Sequence, residues 1–334
     1  MIDSDIPFVT IIMPVRNEAA FIARSLSAVL AQEYPAECME ILVVDGMSED
    51  GTRAVVQRLA GQTAVTVTLL DNPDGIVSPG LNMGIRQAQG EIIIRVDGHC
   101  EIAPDYVQRC VSVLKETGAD CVGGAMTTYG ENNIARSIAV AQSSPFGVGG
   151  VAFRTGIQEG RYVDTLAFGA YRREVFDRIG NFDEELVRNQ DDEFNFRLTQ
   201  AGGKIWLDPS IRSLYYSRAT LSGLWKQYYQ YGFYKVRVIQ KRQAIPSWRH
   251  LVPGLFVLSL FFSLFLALLT RKKFFALTVA VPYSLANLLA SSWAARRQPR
   301  LFPVLPIAFA TLHLAYGLGF LAGLWHWRHK WHSI

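Results

Sequence analysis

Three short polar stretches interrupt apolar runs in this chain, and each carries groups able to do chemistry. Asp97 and His99 flank Gly98 at the end of EIIIRVDGHC (91–100). Two residues apart on a strand, then turned at Gly98, a carboxylate and an imidazole can converge on one ion. That pair is a partial shell for Mn or Mg, the other positions being left to water and phosphate oxygens. A strand-end Asp-Gly is also a common turn, and a histidine there is also a common loop residue. NQDDEFNFRL (189–198) holds Asp191, Asp192 and Glu193, with Arg197 four residues after Glu193. A carboxylate there can take a proton from an attacking hydroxyl. The rival reading is an exposed helix turn with Glu193 and Arg197 paired at i, i+4. Asn17, Glu18 and Asp45 complete the set, and Arg172 and Arg173 are either bidentate phosphate donors or solvated surface charges.

Positioning these groups requires strands that end together. FVTIIMPV (8–15), EILVVD (40–45), VTVTLLDN (65–72) and EIIIRVD (91–97) are rich in β-branched residues and read as buried strands. Helical spacing follows in 16–32, 48–60 and around GLNMGIRQAQ (80–89). This alternation predicts an α/β fold with a mostly parallel, Rossmann-like sheet covered by helices. Ligands of such sheets bind at the carboxyl ends of the strands, where Asn17 and Glu18, Asp45, and Asp97 with His99 all fall. A further helix is expected over 104–120 and a strand at 121–128, while the glycine-rich 130–156 reads as a mobile loop.

Composition then divides the chain. All 29 acids lie before residue 251 and none follows. The acid-free tail holds three apolar stretches, 251–269, 274–295 and 301–325. Each approaches or exceeds the roughly 20 residues that cross a bilayer core. If all three span and the first 250 residues are cytoplasmic, Arg271, Lys272, Lys273, Arg328 and Lys330 fall on the side that the positive-inside rule disfavours. Three spans and a re-entrant or interfacial hairpin therefore stay open. Aromatic and basic residues alternate over 221–250, as in a membrane-surface helix; a sharper reading has Lys235 or Arg237 holding a lipid diphosphate. His326, His329 and His332 near the end are read as interface residues, not as a metal site.

The net charge of +4 requires no nucleic acid, since anionic lipid is the simpler partner of cations beside membrane segments. Cys38, Cys100, Cys110 and Cys121 lack CxxC spacing and are expected to be reduced thiols. MIDSDIPF lacks a cationic n-region, so no signal peptide is expected.

VTIIMPVRNEAAFI, ILVVDGMSEDGT, PGLNMGIRQAQGEIIIRVDGH and NQDDEFNFRL, in this order, resemble the successive motifs of family 2 glycosyltransferases, over roughly residues 7–245. The membrane tail adds similarity to bacterial exopolysaccharide enzymes of the succinoglycan type. The resemblance implies a GT-A fold over 1–220, an interfacial segment over 221–250 and a membrane domain over 251–334. It also implies inverting transfer of a sugar, glucose by analogy, from a UDP-sugar to a polyprenyl-diphosphate-linked saccharide on the cytoplasmic face of a bacterial inner membrane. Other polysaccharide-assembly enzymes are further implied partners. Pro14, Arg16, Asn17 and Glu18 would lie beside the nucleotide and Asp45 near the uracil. Asp97 and His99 would take the place of the metal-binding DXD, with histidine for its second acid, which suits Mn better than Mg. Aligning Arg197 and Glu193 with the family pattern puts Gln190 where the family has Glu and makes Asp191 the base, with Asp192 next. A processive synthase is the nearest alternative, although no QxxRW-type sequence is present. A nucleotide-sugar-binding regulator without catalysis is a second, and a small transporter a weaker third, because the tail has no intramembrane acid.

Overall fold

The computed structural model describes residues 6–245 and 247–331, so His332 and the first five residues lie outside it. The first half of the chain gives β1 (Val9–Val15), α1 (Ile22–Leu30), β2 (Met39–Asp45), α2 (Thr52–Ala60), β3 (Thr66–Asp71), α3 (Val77–Gln87), β4 (Ile92–Arg95), β5 (Cys100–Ile102), α4 (Tyr106–Thr117) and β6 (Cys121–Tyr129). Next come α5 (Asn133–Gln142), α6 (Pro145–Val148), α7 (Ala152–Thr155), β7 (Arg161–Tyr162), β8 (Ala170–Arg172), α8 (Glu174–Ile179), α9 (Gln190–Gln200) and β9 (Ile205–Tyr216). Four helices complete the described chain: α10 (Leu221–Arg242), α11 (Val252–Thr270), α12 (Phe274–Ala295) and α13 (Leu305–His326). Two compact units result: the chain through Thr127 with Gly156–Tyr215, and Thr128–Thr155 with everything from Tyr216 onward.

Among the described residues, nine strands form one sheet, in the order β3-β2-β1-β4-β8-β6-β9-β5, with β7 on β9. The first four strands are parallel, as their β-branched runs and intervening helices predict. Beyond β4 the pairing with β8, and of β8 with β6, is antiparallel, so the whole sheet is mixed. Register brings the carboxyl ends together: Val15 pairs with Asp45, and Asp45 with Asp71. β1 and β2 are buried almost throughout, Asp45 included, so it is the turns beyond their carboxyl ends that reach the surface.

Beside the sheet, Phe194 of α9 is fully buried and packs on Phe182 at 4.4 Å, Phe176 at 5.2 Å and Tyr171 at 5.3 Å. Such aromatic pairs add about 0.5–1.5 kcal/mol each beyond burial. The loop before α9 is fastened to α3: Asn82 exchanges hydrogen bonds with the Phe182 backbone, and the Ser78 hydroxyl donates to Leu186 O at 2.6 Å. The four cysteines are free and buried, and burial pushes the Cys100, Cys110 and Cys121 thiols up.

In the second unit, 130–156 is helical where the sequence reads as a loop. Asn132 caps α5 by accepting from Ala135 N at 2.8 Å, and Ile138 and Ala141 are buried with Leu224, Leu305, Phe309 and Leu312. Flanking glycines hid this short amphipathic pattern. α10 meets α13 at backbone contact: a Cβ on Gly232 would stand 2.0 Å from Tyr316 O, and one on Gly319 2.0 Å from Tyr229 O. Glycines at the contact allow the two backbones to approach this closely. Lys235 and Arg237 are 4% and 8% exposed, so they are built into the unit and do not line a free surface. The helices Trp248–Thr270, Phe274–Ala295 and Leu305–His326 are long and apolar enough to cross a membrane.

Candidate active site

The turns after β1 and β2 interlock. Asn17 N–H donates to the Ser48 hydroxyl at 2.8 Å, and Glu49 N–H returns a bond to the Asn17 side-chain Oδ1 at 2.9 Å. Glu18 N–H donates to Thr52 and Ala19 N–H to Asp50. Arg16 reaches across to Gly75 O at 3.0 Å, a contact that any Cβ on Gly75 would obstruct. Pro14 lies within β1, one residue before its end. Asn17, at φ 53°, takes the left-handed conformation that asparagine tolerates better than most residues. Asp45 is fully buried; its Oδ2 accepts from Ser48 N at 3.0 Å and Arg53 Nη1 at 2.8 Å, while Oδ1 has no hydrogen-bond partner.

β4 stops at Arg95, and a turn over Asp97–Cys100 follows, closed by Cys100 N–H donating to Asp97 O at 3.0 Å. Arg95 forks onto Asp97, Nε to Oδ1 at 2.8 Å and Nη2 to Oδ2 at 3.2 Å. His99 Nδ1 lies 2.8 Å from a Glu18 carboxylate oxygen. A carboxylate only accepts, so Nδ1 carries the proton and Nε2 is left as the basic ring nitrogen. That arrangement suits a metal-ligating histidine, whose other ring nitrogen commonly donates to a carboxylate. Among the described residues no group of three or more His, Cys, Asp or Glu could hold a metal. Both Asp97 oxygens are engaged by Arg95, so a divalent cation at Asp97 and His99 would share that carboxylate with Arg95 and take its remaining oxygens from a bound diphosphate and water.

α9 begins directly after Asn189, whose φ of 62° turns the chain into the helix. Its first turn carries all three candidate acids, and they differ in environment. Glu193 is fully buried and gripped by Arg197 at 2.9 and 3.2 Å, so the i, i+4 pair exists but is buried rather than exposed. Asp191 is partly exposed, with its Oδ1 accepting from Asp192 N at 2.9 Å. Burial alone would lower the Arg95 guanidinium, but the charges of Asp97 and then Asp191 raise it well above its ordinary value. Arg95 thus links the metal-ligand candidate to the base candidate.

Arg172 and Arg173, read as possible phosphate donors, have structural work instead. Arg172 binds Ala119 O and Leu114 O behind α4, and Arg173 binds Ala88 O and Gly90 O.

Residues 10–180 match the model of Glycosyl transferase family 2. The chain belongs to the family 2 glycosyltransferases. The succinoglycan biosynthesis protein ExoA of Rhizobium meliloti is 32% identical over 323 residues, 96% of each chain. A Methanococcus voltae dolichyl N-acetyl-alpha-D-glucosaminyl phosphate 3-beta-D-2,3-diacetamido-2,3-dideoxy-beta-D-glucuronosyltransferase is 29% identical, covering 95% of this chain and 97% of its own. Among solved structures, the mannosyltransferase PcManGT from Pyrobaculum calidifontis, in complex with GDP-Man and Mn2+, matches at a TM-score of 0.59 and 19% identity, covering 97% of this chain and 88% of its own. S. aureus TarS 1–349 with UDP-GlcNAc matches at 0.53 and 16%, covering 97% and 92%. These likenesses establish the GT-A fold of the glycosyltransferase.

Sequence reasoning missed Arg53, Arg95 and Arg188. Arg95 and Asp97 are two apart and so share a strand face, a signal present in the sequence but masked by the surrounding isoleucines. Arg53 lies in the first turn of α2, and nothing in the spacing announces that it reaches back to Asp45.

The acid response of the glycosyltransferase follows from these pairs. Burial alone would raise the Asp97 carboxyl, but Arg95, His99 and Arg188 together hold it below the usual carboxylate range. At Asp50 burial likewise pushes upward, but hydrogen bonds from Thr52 and the Ala19 amide together outweigh it and hold the carboxyl low. A depressed folded-state value stabilises above the unfolded value of about 3.9, and that stabilisation is lost as pH falls through the folded one. The melting temperature in detergent is therefore expected to decline below about pH 4, with a shallower slope in Asp97→Asn. An identical slope in the variant would show that Asp97 is not held down.

Proposed function

We propose that this glycosyltransferase transfers one sugar, with inversion, from a UDP-sugar to a polyprenyl-diphosphate-linked saccharide at the cytoplasmic face of a bacterial membrane. The sheet-bearing unit is the catalytic one and α11–α13 are its anchor. The observation that carries the reading is the joining of the β1, β2 and β4 ends by side-chain contacts, Glu18 to His99 and Asn17 to the Ser48 turn, in a chain of the family 2 glycosyltransferases. Pro14, Arg16, Asn17 and Glu18 wall the nucleotide, and Asp45 accepts a hydrogen bond from the base. Asp97 and His99 would hold a divalent cation, Mn or Mg, whose chemistry there is to offset the charge gathering on the departing diphosphate. Asp191 takes the acceptor hydroxyl's proton as the hydroxyl attacks the anomeric carbon from the side opposite the leaving group, so no covalent sugar intermediate forms. A lipid-linked acceptor is supported by the Methanococcus voltae relative, named for a dolichyl phosphate sugar.

The test is release of UDP by full-length protein in detergent, from a panel of UDP-sugars with Mn, Mg or EDTA, with and without a total bacterial lipid extract. Turnover with one sugar that needs both lipid and metal, and is lost in Asp97→Asn, is expected. A growing polymer independent of lipid would favour a processive synthase, and nucleotide binding without turnover a regulator.

A further inference from the structure

The two carboxylates that end β2 and β3, Asp45 and Asp71, are register partners. Side by side they repel. Arg53, from α2, stands between them, Nη1 lying 2.8 Å from Asp45 Oδ2 and 2.7 Å from Asp71 Oδ1. Ser48 N–H also donates to Asp45 Oδ2, at 3.0 Å. One oxygen of Asp45 thus has two donors and the other, in a fully buried carboxylate, has none. A buried acceptor without a partner is costly until something donates to it.

Building on the assignment of Asp45 to the nucleobase, we propose that Arg53 is the positioning residue for base recognition. By bridging Asp45 to Asp71 it occupies Oδ2 and leaves Oδ1 as a dedicated acceptor for an imide N–H. Uracil N3–H meets this requirement, as does guanine N1–H. Cytosine does not, because its N3 is itself an acceptor and would set a lone pair against Oδ1. Arg53 touches no part of the nucleotide in this scheme; it acts through Asp45. Its effect is therefore on which base binds, which a purely structural ion pair at the edge of the sheet would not alter.

The experiment is equilibrium binding of UDP, GDP and CDP to the full-length protein in detergent. Wild type is expected to favour an imide base over CDP by roughly tenfold or more, the weight of one charge-assisted hydrogen bond. Arg53→Met should weaken the preferred nucleotide about tenfold and change CDP by less than about twofold, and Arg53→Lys should recover part of the loss. In an Asp45→Asn background, Arg53→Met should add almost nothing, because the two act as one unit. Equal losses for all three nucleotides, additive effects in the double variant, or unchanged binding in Arg53→Met would each overturn the proposal. Arg53 is one-third exposed, and Arg53→Gln replaces Arg53→Met if the latter does not fold. Wild-type UDP affinity in Asp45→Asn is a separate result: it removes Asp45 from the base site, whatever Arg53 does.

Discussion

Asp191→Asn should abolish most sugar transfer, lowering kcat by about 10²- to 10⁴-fold while leaving nucleotide affinity within a few-fold of wild type. The amide keeps the shape of the side chain, and its carbonyl oxygen can still accept from Asp192 N, but it cannot take up a proton. Three acids occupy this turn, and the structure separates them. Glu193 is buried with both oxygens engaged by Arg197, which leaves it unsuited to meeting an acceptor sugar. Asp191 acts on the Arg95 guanidinium that grips Asp97. Single-turnover transfer with saturating donor is the direct measurement, run beside Asp192→Asn. Full rate in Asp191→Asn with loss in Asp192→Asn would move the base by one residue.

Glu193→Gln should have the largest effect on stability. Arg197 donates to both Glu193 oxygens and also to the Ile179 and Asn181 carbonyls, the latter at 2.6 Å, tying α9 to the end of α8. Removing the charge from one member of a buried pair strands the other, at a cost of about 3–5 kcal/mol. For a unit of this size that corresponds to a melting temperature lower by roughly 6–20 °C. Differential scanning fluorimetry in detergent reads it. Activity measured well below the transition should survive far better than in Asp191→Asn, since the pair acts through the fold; an unshifted transition would mean that the pair contributes no net stability.

How much of this was legible in the sequence depends on what kind of information each feature needs. The parallel half of the sheet was readable because Ile11, Ile12, Ile41 and Ile92–Ile94 repeat one composition at one spacing. The helix expected from residue 16 begins only at Ile22, because Asn17, Glu18 and Ala19 spend their amides on the neighbouring turn. Of the antiparallel half β6 was legible, as the strand expected at 121–128, but β8 has three residues and β7 two, too few to carry a period. Lys235 and Arg237 looked like surface cations because composition does not reveal which face of a helix meets a neighbour. For the same reason the sequence offered Glu18, Asp97 and His99 as candidates for one crevice yet was silent on Arg95 and on the pairing of Glu18 with His99.

The packing of α5 has a consequence for how the protein is made. Ile138 and Ala141 leave the ribosome long before Leu305, Phe309 and Leu312, the α13 residues that bury them. Until the last apolar segment has been synthesised, α5 has nowhere to put its oily face, and a chain released before that point would leave the face exposed. Completion of this unit is thereby tied to the last part of the chain to be made.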